Sequence, residues 1–414
     1  MPTLRFAAVL MLAGCAVWAR AEEDATHPAD LIVHEWGTFT TMQGSDGVTL
    51  EGLHHDEEQL PKFVYDREKL DAEHENMKMY ARLKMETPVT YFYTPKPLDI
   101  RVKVRFPGGI LTQWFPNALS FEPGIAEPGQ PGPALKDGVL DWGRVHLEPP
   151  GGPPPELPEV APDDPWTFAR QTDSAFVSVR NPYGVGSPFE YEKYLFYRGL
   201  GNLELPLVLT TQPGGGVSLR NRGRLPLREL FVLRVEDGKA AFRRVTALEP
   251  GARAKLTVEL GVDAAAVEAV AAALGAELEQ TLTGLGLYPK ESRAMVATWT
   301  RSYFHTPGLR VLYALPLETT EALLPLEVQP APRECVRVLI ARAEGLTPEG
   351  ESRVRDLVAA LDAESFEARD TARQGLEALG RFAEPQLRRA LATSAQPELQ
   401  ARVRALLERF GARR

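Results

Sequence analysis

Apolar and charged side chains alternate without a break over residues 98–106, so this chain must contain a sheet with one side in the core and one in water. The apolar set is Leu98, Ile100, Val102, Val104 and Phe106, and the charged set is Asp99, Arg101, Lys103 and Arg105. Side chains of a β-strand point alternately to its two faces, so the pattern predicts one half-buried strand. A second alternating segment, 89–93, precedes it across 94–97, and the pair predicts a β-hairpin.

Much of the chain up to residue 345 also has strand character. The strongest further strand segments are 31–41, 175–179, 194–197, 309–314 and 335–341. The last of them predicts that Cys335 begins a buried strand. Between 205 and 260, short apolar segments separated by Asn-x-Gly, Asp-Gly and Pro-Gly turn signals resemble immunoglobulin-like modules. The predicted fold is therefore mainly β, a β-sandwich body that is part immunoglobulin-like, with inserted helices.

Other segments interrupt the strands. Residues 66–85 carry helix formers with apolar residues at helical spacing, 263–285 is alanine-rich with an apolar stripe, and a third helix is predicted over 290–304. Proline and glycine crowd residues 122–165, where they prevent a regular hydrogen-bond ladder and predict a surface loop with one short apolar piece at 139–147.

The pattern changes at Thr347, after which there are 12 arginines, no lysine and no predicted strand. Residues 365–380 align with 396–411 at an offset of 31, so that Gly380 falls on Gly411. A repeat built from helical hairpins is typical of solenoids, and this one resembles HEAT-like repeats. Two units are too few for an independent array. We therefore expect them to pack on the β body or on a partner, either as a cap or as a binding surface.

The first residues predict export. One arginine and an apolar run over residues 6–19 have the form of a signal peptide, and the run is too short to span a bilayer. Two cleavage sites compete. An A-x-A pattern at 19–21 would release a soluble protein, whereas a lipobox-like Leu-Ala-Gly-Cys would make Cys15 a lipidated N-terminus. Without Cys15 the chain keeps one cysteine and forms no internal disulfide.

These signals divide the 414 residues into four parts. The parts are a signal peptide over 1–21, a β-rich N-terminal domain over 30–200 with the loop 122–165, a β-sandwich-like domain over 203–345 with helices in 263–304, and HEAT-like helical repeats over 347–414. A formal net charge of −9 argues against a nucleic-acid partner, and no segment predicts a transmembrane span. We expect a periplasmic or secreted protein, with the membrane-anchored lipoprotein as the alternative.

Histidines and acids are concentrated near the N-terminus, where five of the seven histidines fall between residues 27 and 74. Histidine and carboxylate together can bind a metal or move protons near neutral pH. The predicted metal ligands are His34, His54, His55, Asp56 and Glu57, and the expected ion is divalent, such as zinc.

Strand geometry narrows this prediction. His34 and Glu35 must point to opposite faces of their strand, while His34 and Trp36 share one face. The competing interpretation is a solvated acidic loop with structural histidines, because residues 51–75 hold nine acids against three bases.

Two further features have two interpretations each. The aromatic segments 91–93 and 194–197 form either core or a sugar-stacking platform. Arg198, which follows the second segment, either presents its guanidinium to a carboxylate or ends the strand in a surface ion pair. No G-x-S-x-G elbow, Walker loop or H-E-x-x-H helix is present, so none of these catalytic classes is supported.

The phrases HEWGTF at 34–39 and GSDG at 44–47, together with the signal peptide and the repeat, resemble uncharacterised exported proteins of planctomycete-type bacteria. That resemblance implies no activity. The leading hypothesis is a non-enzymatic extracytoplasmic binding or scaffold protein with a protein or glycan partner. The alternative is a metal-dependent enzyme or metal-binding protein that uses the cluster in residues 34–58.

Overall fold

The computed structural model describes residues 30–53, 59–67, 80–125, 134–181, 188–261 and 264–412. They form a mainly β body followed by a helical C-terminal region, as the sequence predicts at this coarse level. The strands are β1 (Ile32–Gln43), β2 (Tyr65–Asp66), β3 (Leu83–Tyr93), β4 (Leu98–Phe106), β5 (Gly109–Phe115), β6 (Ser120–Glu122), β7 (Gly138–Glu148), β8 (Phe176–Arg180), β9 (Phe189–Glu192), β10 (Leu195–Gly201), β11 (Leu207–Gln212), β12 (Gly216–Asn221), β13 (Leu227–Glu236), β14 (Lys239–Leu248), β15 (Arg253–Thr257), β16 (Gly308–Ala314), β17 (Leu326–Gln329) and β18 (Glu334–Gly345).

Helices lie mainly in the second half of the chain. They are α1 (Pro165–Ala169), α2 (Val267–Gly284), α3 (Pro289–Trp299), α4 (Leu317–Leu323), α5 (Pro348–Ala360), α6 (Phe366–Leu379), α7 (Glu384–Thr393) and α8 (Pro397–Ala412), with a π-helix at Thr300–Phe304 and 3-10 turns at Pro213–Gly215 and Gly380–Phe382. Within the described ranges, no helix has both the length and the apolar character that crossing a membrane requires.

A nine-stranded sheet forms the centre of the body, in the order β14-β13-β16-β18-β1-β3-β10-β5-β2. Its middle strand, β1, runs parallel to β18 along its whole length and antiparallel to β3. Every residue of β1 after Ile32 is buried, because both faces of this sheet are covered. The predicted boundary near residue 202 runs through this sheet, since strands from both sides of it pair with one another.

The two faces of the central sheet contact different layers. One face shares a core with β4, β7 and the rest of the six-stranded sheet β17-β4-β7-β8-β9, in which β6 also pairs with β7, and with the three-stranded sheet β11-β12-β15. The other face packs against α1, α2, α3 and the π-helix. The strands between 207 and 257 are thus divided between two sheets, and their assignment to an immunoglobulin-like sandwich stays a prediction.

The predicted hairpin between 89–93 and 98–106 is wrong, although both segments are strands. β3 pairs with β1 and β10, whereas β4 pairs with β7 and β17 in another sheet. β3 is buried on both faces and belongs in a middle layer, while β4 keeps one exposed face. The residues that link the two strands, 94–97, include two prolines, which fix φ and prevent a regular hairpin between the strands.

Two smaller predictions also need correction. The helix predicted over 66–85 does not reach its end, because β3 already begins at Leu83; residues 68–79 lie outside the described ranges. Cys335 is exposed, since β18 enters the core only from Arg337 onward. The helices expected at 263–285 and 290–304, and the apolar piece at 139–147, are confirmed as α2, as α3 with the π-helix, and as β7.

The C-terminal helices have a hydrophobic core of their own and also contact the β body. α6 and α8, the two aligned segments, begin 31 residues apart, as the repeat requires. α5 contacts the body through Glu351, which accepts hydrogen bonds from the backbone and hydroxyl of Ser45. α7 contacts it through Arg388, against Gly52. The helices therefore pack on the body, while membership in the HEAT class stays a prediction.

Candidate functional site

Only His34 of the five predicted metal ligands falls within the described ranges; His54, His55, Asp56 and Glu57 lie outside them. Among the residues that the structure describes, no three His, Cys, Asp or Glu side chains are grouped so as to hold a metal ion. Leu53 packs with Met42 and Leu346 near the C-terminal end of β1, whereas His34 lies near the N-terminal end of the same strand. The metal site therefore stays a prediction.

His34 is completely buried and joins the central sheet to α3. Its Nδ1 atom lies 2.7 Å from Oε2 of Glu291, which is also buried. Glu291 accepts two more hydrogen bonds, from the Tyr93 hydroxyl and from the backbone N–H of Tyr288, each at 2.7 Å. Burial raises the pKa of Tyr93 above its usual range and the Glu291 charge raises it further, so Tyr93 remains a donor. This arrangement holds sheet and helix together.

Glu35 lies on the other face of β1, as strand alternation predicts. Its carboxylate pairs with Arg337, with 2.6 Å between Oε2 and Nη2, and accepts a hydrogen bond from the Tyr197 hydroxyl. His34 and Glu35 therefore belong to separate buried networks, and they cannot act on one ion or substrate. His34 and Trp36 share the helix-covered face, which confirms the other half of the prediction.

A different place in the body combines several features of a functional site. The pairing register shifts between Trp36 and Thr38 in β1 and between Phe196 and Gly199 in β10. Both shifts lie opposite the same point of β3, where Thr87 has a φ of 54°. A β-branched residue at positive φ is strained, and strain and bulges concentrate at functional sites.

Gly37 makes this irregularity sterically feasible. A Cβ atom at position 37 would lie 2.8 Å from the Cα atom of Pro88 on the neighbouring strand. Any side chain there would force the two strands apart. The glycine in the interior of β1 therefore marks the close approach of another backbone.

The irregular strands border a cleft between the central sheet and the helices. Two cavities of about 40 and about 20 Å³ share Thr87, Arg198 and Thr298 in their walls. The smaller one is polar, with Glu86, Trp299, Ser302 and Tyr303 as its other lining residues. The larger one has mostly apolar walls, which include Trp36, Leu60, Val89, Trp166, Ala169 and Phe196.

Among the described residues, the donors in the cleft walls that have no hydrogen-bond partner include the indole N–H of Trp299 and the hydroxyl of Thr87, and both atoms are buried. Leaving a buried donor unpaired costs about 1–3 kcal/mol. Trp299 is the last residue of α3, and the helix continues from it as a π-helix, a form that is frequent at functional sites.

Glu86 is ionised in the polar compartment. Burial by itself would raise its pKa, but Lys84 and Arg342 outweigh that effect with help from the Tyr303 hydroxyl, and they lower the pKa to about 2. The Glu86 carboxylate lies 3.1 Å from Nζ of Lys84 and accepts a 2.7 Å hydrogen bond from Tyr303. The carboxylate is thus engaged with protein groups, and within the described residues it does not accept a hydrogen bond from the indole N–H of Trp299 or the hydroxyl of Thr87.

The described residues that line the two cavities include hydroxyl, carboxylate, guanidinium and indole groups, and no histidine or cysteine. Unpaired donors, the positive charge of Arg198 and apolar walls together accommodate a group that accepts hydrogen bonds and carries an apolar part.

The sequence indicated part of this site. Arg198 lies in the cleft wall, but it is buried in the interior of β10, so the prediction of a surface ion pair at a strand end is wrong. No sequence motif identifies Thr87 or Trp299. The available signals were Pro88 and Gly199, since proline and glycine within a strand mark a bulge or a close approach. The aromatic residues Tyr91 and Tyr194 are completely buried, so these segments are core.

Comparison with known proteins leaves the family open. No protein-family model matches the chain. No curated protein matches it significantly. Among solved structures, it is similar to the yeast delta-COP-I mu-homology domain complexed with a Dsl1 WxWxV peptide, with 7% identity, a TM-score of 0.26 and coverage of 77% of this chain and 96% of that chain. The same yeast domain without peptide matches at 8% identity and a TM-score of 0.24, with the same coverage. Overlays this weak do not establish a common fold.

Proposed function

We propose that this is a non-enzymatic binding protein that works outside the cytoplasm and holds a small carboxylate-bearing ligand in the cleft under α3. One observation carries the proposal. The unpaired, buried N–H of Trp299 and hydroxyl of Thr87 line a cleft at the level where three neighbouring strands depart from regular geometry. The location outside the cytoplasm rests on the signal peptide predicted over 1–21.

The ligand class follows from the two compartments. The polar cavity offers the indole N–H of Trp299 and the hydroxyl of Thr87 as hydrogen-bond donors, and Arg198 adds positive charge. A carboxylate therefore fits this cavity better than an amine or an ammonium group. The adjoining cavity is walled by aromatic and aliphatic side chains that suit a short apolar group. Cavities of about 40 and 20 Å³ admit only a few atoms, which limits the ligand to a small monocarboxylate.

Isothermal titration calorimetry with acetate, propionate, butyrate and benzoate tests the proposal, with the corresponding alcohols as neutral analogues. We expect at least one acid to bind and its alcohol to bind at least about tenfold more weakly, because only the acid presents a charged acceptor. Trp299→Phe should weaken binding about tenfold, since it removes the unpaired N–H and keeps an aromatic ring.

Trp114→Phe is the matched control. Trp114 is also buried with an unpaired indole N–H, but it lies on β5 away from the cleft. Its replacement should leave the affinity unchanged. Absence of binding by all four acids, or equal loss in the two variants, would count against the cleft. A turnover found in a screen of glycan, peptide and phosphoester substrates and abolished by one cleft substitution would overturn the non-enzymatic assignment.

The metal-dependent alternative has its own measurement. Gln59, close after the predicted ligands in the sequence, lines the larger cavity. Elemental analysis of gently purified protein should show zinc or another divalent metal in a near-stoichiometric amount if this alternative holds. The load should then fall in a His54→Ala, His55→Ala double variant. A metal content far below one equivalent argues for the binding protein.

A further inference from the structure

A groove runs between α6 and α8, on the helices that carry none of the contacts to the β body described above. Its volume is about 200 Å³, and its apolar lining consists of Leu361, Phe366, Ala405 and Leu406. Phe366 is 75% exposed, an unusual position for so large an apolar side chain. A groove of this size accommodates one large apolar side chain, and Phe366 offers a ring for it to pack against.

Arginines surround this apolar floor. Arg369 and Arg373 on α6 and Arg402 and Arg409 on α8 line the groove, against one lining acid, Asp370. The lining residues therefore carry an excess of three positive charges, counted as four arginines minus one aspartate. Asp362, Glu377 and Glu398 pair with these arginines from outside the lining.

Two of the lining arginines have N–H groups that donate no hydrogen bond within the described residues. Arg369 uses only Nη1, which donates to the carbonyls of Ala363 and Glu364. Arg409 likewise uses only Nη1, which donates to Glu377 at 2.9 Å. Within the described part of the chain, their Nε and Nη2 groups donate no hydrogen bond. A guanidinium with two adjacent free N–H groups is suited to bind a carboxylate in bidentate geometry.

We propose that this groove docks a short acidic segment of a partner protein, with one large apolar side chain seated beside Phe366 and flanking carboxylates on Arg369 and Arg409. The acids named above balance the four arginines in number, so the selection rests on the Nε and Nη2 groups of Arg369 and Arg409, which donate no hydrogen bond within the described residues and suit carboxylates better than a basic or neutral segment. The groove lies in the C-terminal helical region and the cleft lies in the β body, so this inference stands independently of the proposed ligand.

Fluorescence anisotropy with labelled hexapeptides tests the proposal on the full chain. The probes are Asp-Asp-X-X-Asp-Asp, in which X is Leu, Met, Phe or Trp. Controls carry Ser at both X positions or Lys in place of every Asp. We expect at least one acidic apolar peptide to bind about tenfold more tightly than either control, and binding to weaken as salt is raised.

Ala405→Trp fills the groove from an exposed helical position and should weaken that binding about tenfold. Ala272→Trp, at an exposed position of α2, is the matched control and should leave it unchanged. Equal binding of acidic and basic peptides, no binding of any acidic peptide, or insensitivity to Ala405→Trp would overturn the proposal. So would a concentration-dependent dimer in sedimentation that Phe366→Ala returns to monomer, because the occupant would then be a second copy of the chain.

Discussion

Glu344, in the last strand of the β body, and Arg381, in the turn between α6 and α7, form a buried ion pair with 3.3 Å between Oε1 and Nη2. The same carboxylate pairs with Arg342 and Arg310. Glu344 is completely buried, and three guanidinium groups share its single charge. The helical region is thus joined to the central sheet by an electrostatic contact that is shielded from water.

Removing the Glu344 charge should destabilise the whole chain. Glu344→Gln preserves size but removes the buried carboxylate that three guanidinium groups share, which costs about 3 kcal/mol or more. Urea unfolding followed by circular dichroism measures the loss. Glu236→Gln is the control, because Glu236 pairs with Arg234 at the surface and such pairs contribute at most about 1 kcal/mol. Equal effects of the two changes would contradict the assigned role of Glu344.

Acid should weaken the fold through the same network. Burial opposes ionisation of Glu344 and Glu86, yet neighbouring arginines and Lys84 lower the pKa of each from 4.5 to about 2. Between these pH values the unfolded chain binds protons that the folded chain does not. The stabilisation is therefore fully present above pH 4.5 and is lost as the pH falls toward 2, by roughly 3 kcal/mol for each group.

The free energy of unfolding, measured from urea titrations at a series of pH values between neutral and 2, checks this prediction. In the Glu344→Gln variant, the acid-induced loss should be smaller than in the unmodified protein, because one of the two titrating groups is absent. A loss of the same size in both would show that other carboxylates cause it.

The contact between His34 and Glu291 should matter for stability whether or not any metal binds. Glu291→Ala leaves the Tyr93 hydroxyl and the His34 ring without their acceptor in a buried place, at an expected cost of about 3 kcal/mol. Glu268→Ala, at an exposed position in the first turn of α2, should cost less than about 1 kcal/mol. Thermal unfolding of both variants measures these costs. A loss of stability in Glu291→Ala as small as that in Glu268→Ala would contradict the proposed contribution of this contact.

Local patterns predicted local structure well and pairing poorly. The alternation over 98–106 gave the exposed and buried faces of β4, and alternation in β1 separated His34 from Glu35. Neither pattern says which strand lies alongside. β1 pairs with β18, some 300 residues away in sequence, and β3 separates from β4 into another sheet. Pairing depends on which faces become covered, which is a property of the assembled body.

The cleft could not be predicted from the sequence for the same reason. Its donors come from β3 and the end of α3, which are distant in sequence, and its shape depends on two register shifts that meet opposite Thr87. The density of histidines and acids predicts a site at residues 54–57, because chemical composition can be read directly from a sequence. An unpaired indole N–H is visible only once its surroundings are known.

Replacement of Thr87 by glycine should separate strain from binding. Glycine adopts a φ of 54° without the penalty that a β-branched residue pays there, so relief of strain offsets the loss of about 1 kcal/mol that glycine causes in an ordinary strand. We expect the stability of Thr87→Gly to equal or exceed that of the unmodified protein. Thr210→Gly, at a regularly paired position of β11, should lose about 1 kcal/mol.

The same Thr87→Gly variant should bind the carboxylate more weakly, because the hydroxyl that lines the cleft is removed. Calorimetric titration beside thermal unfolding distinguishes the two effects. A variant that is destabilised and binds unchanged would show that Thr87 serves the fold and has no part in the cleft.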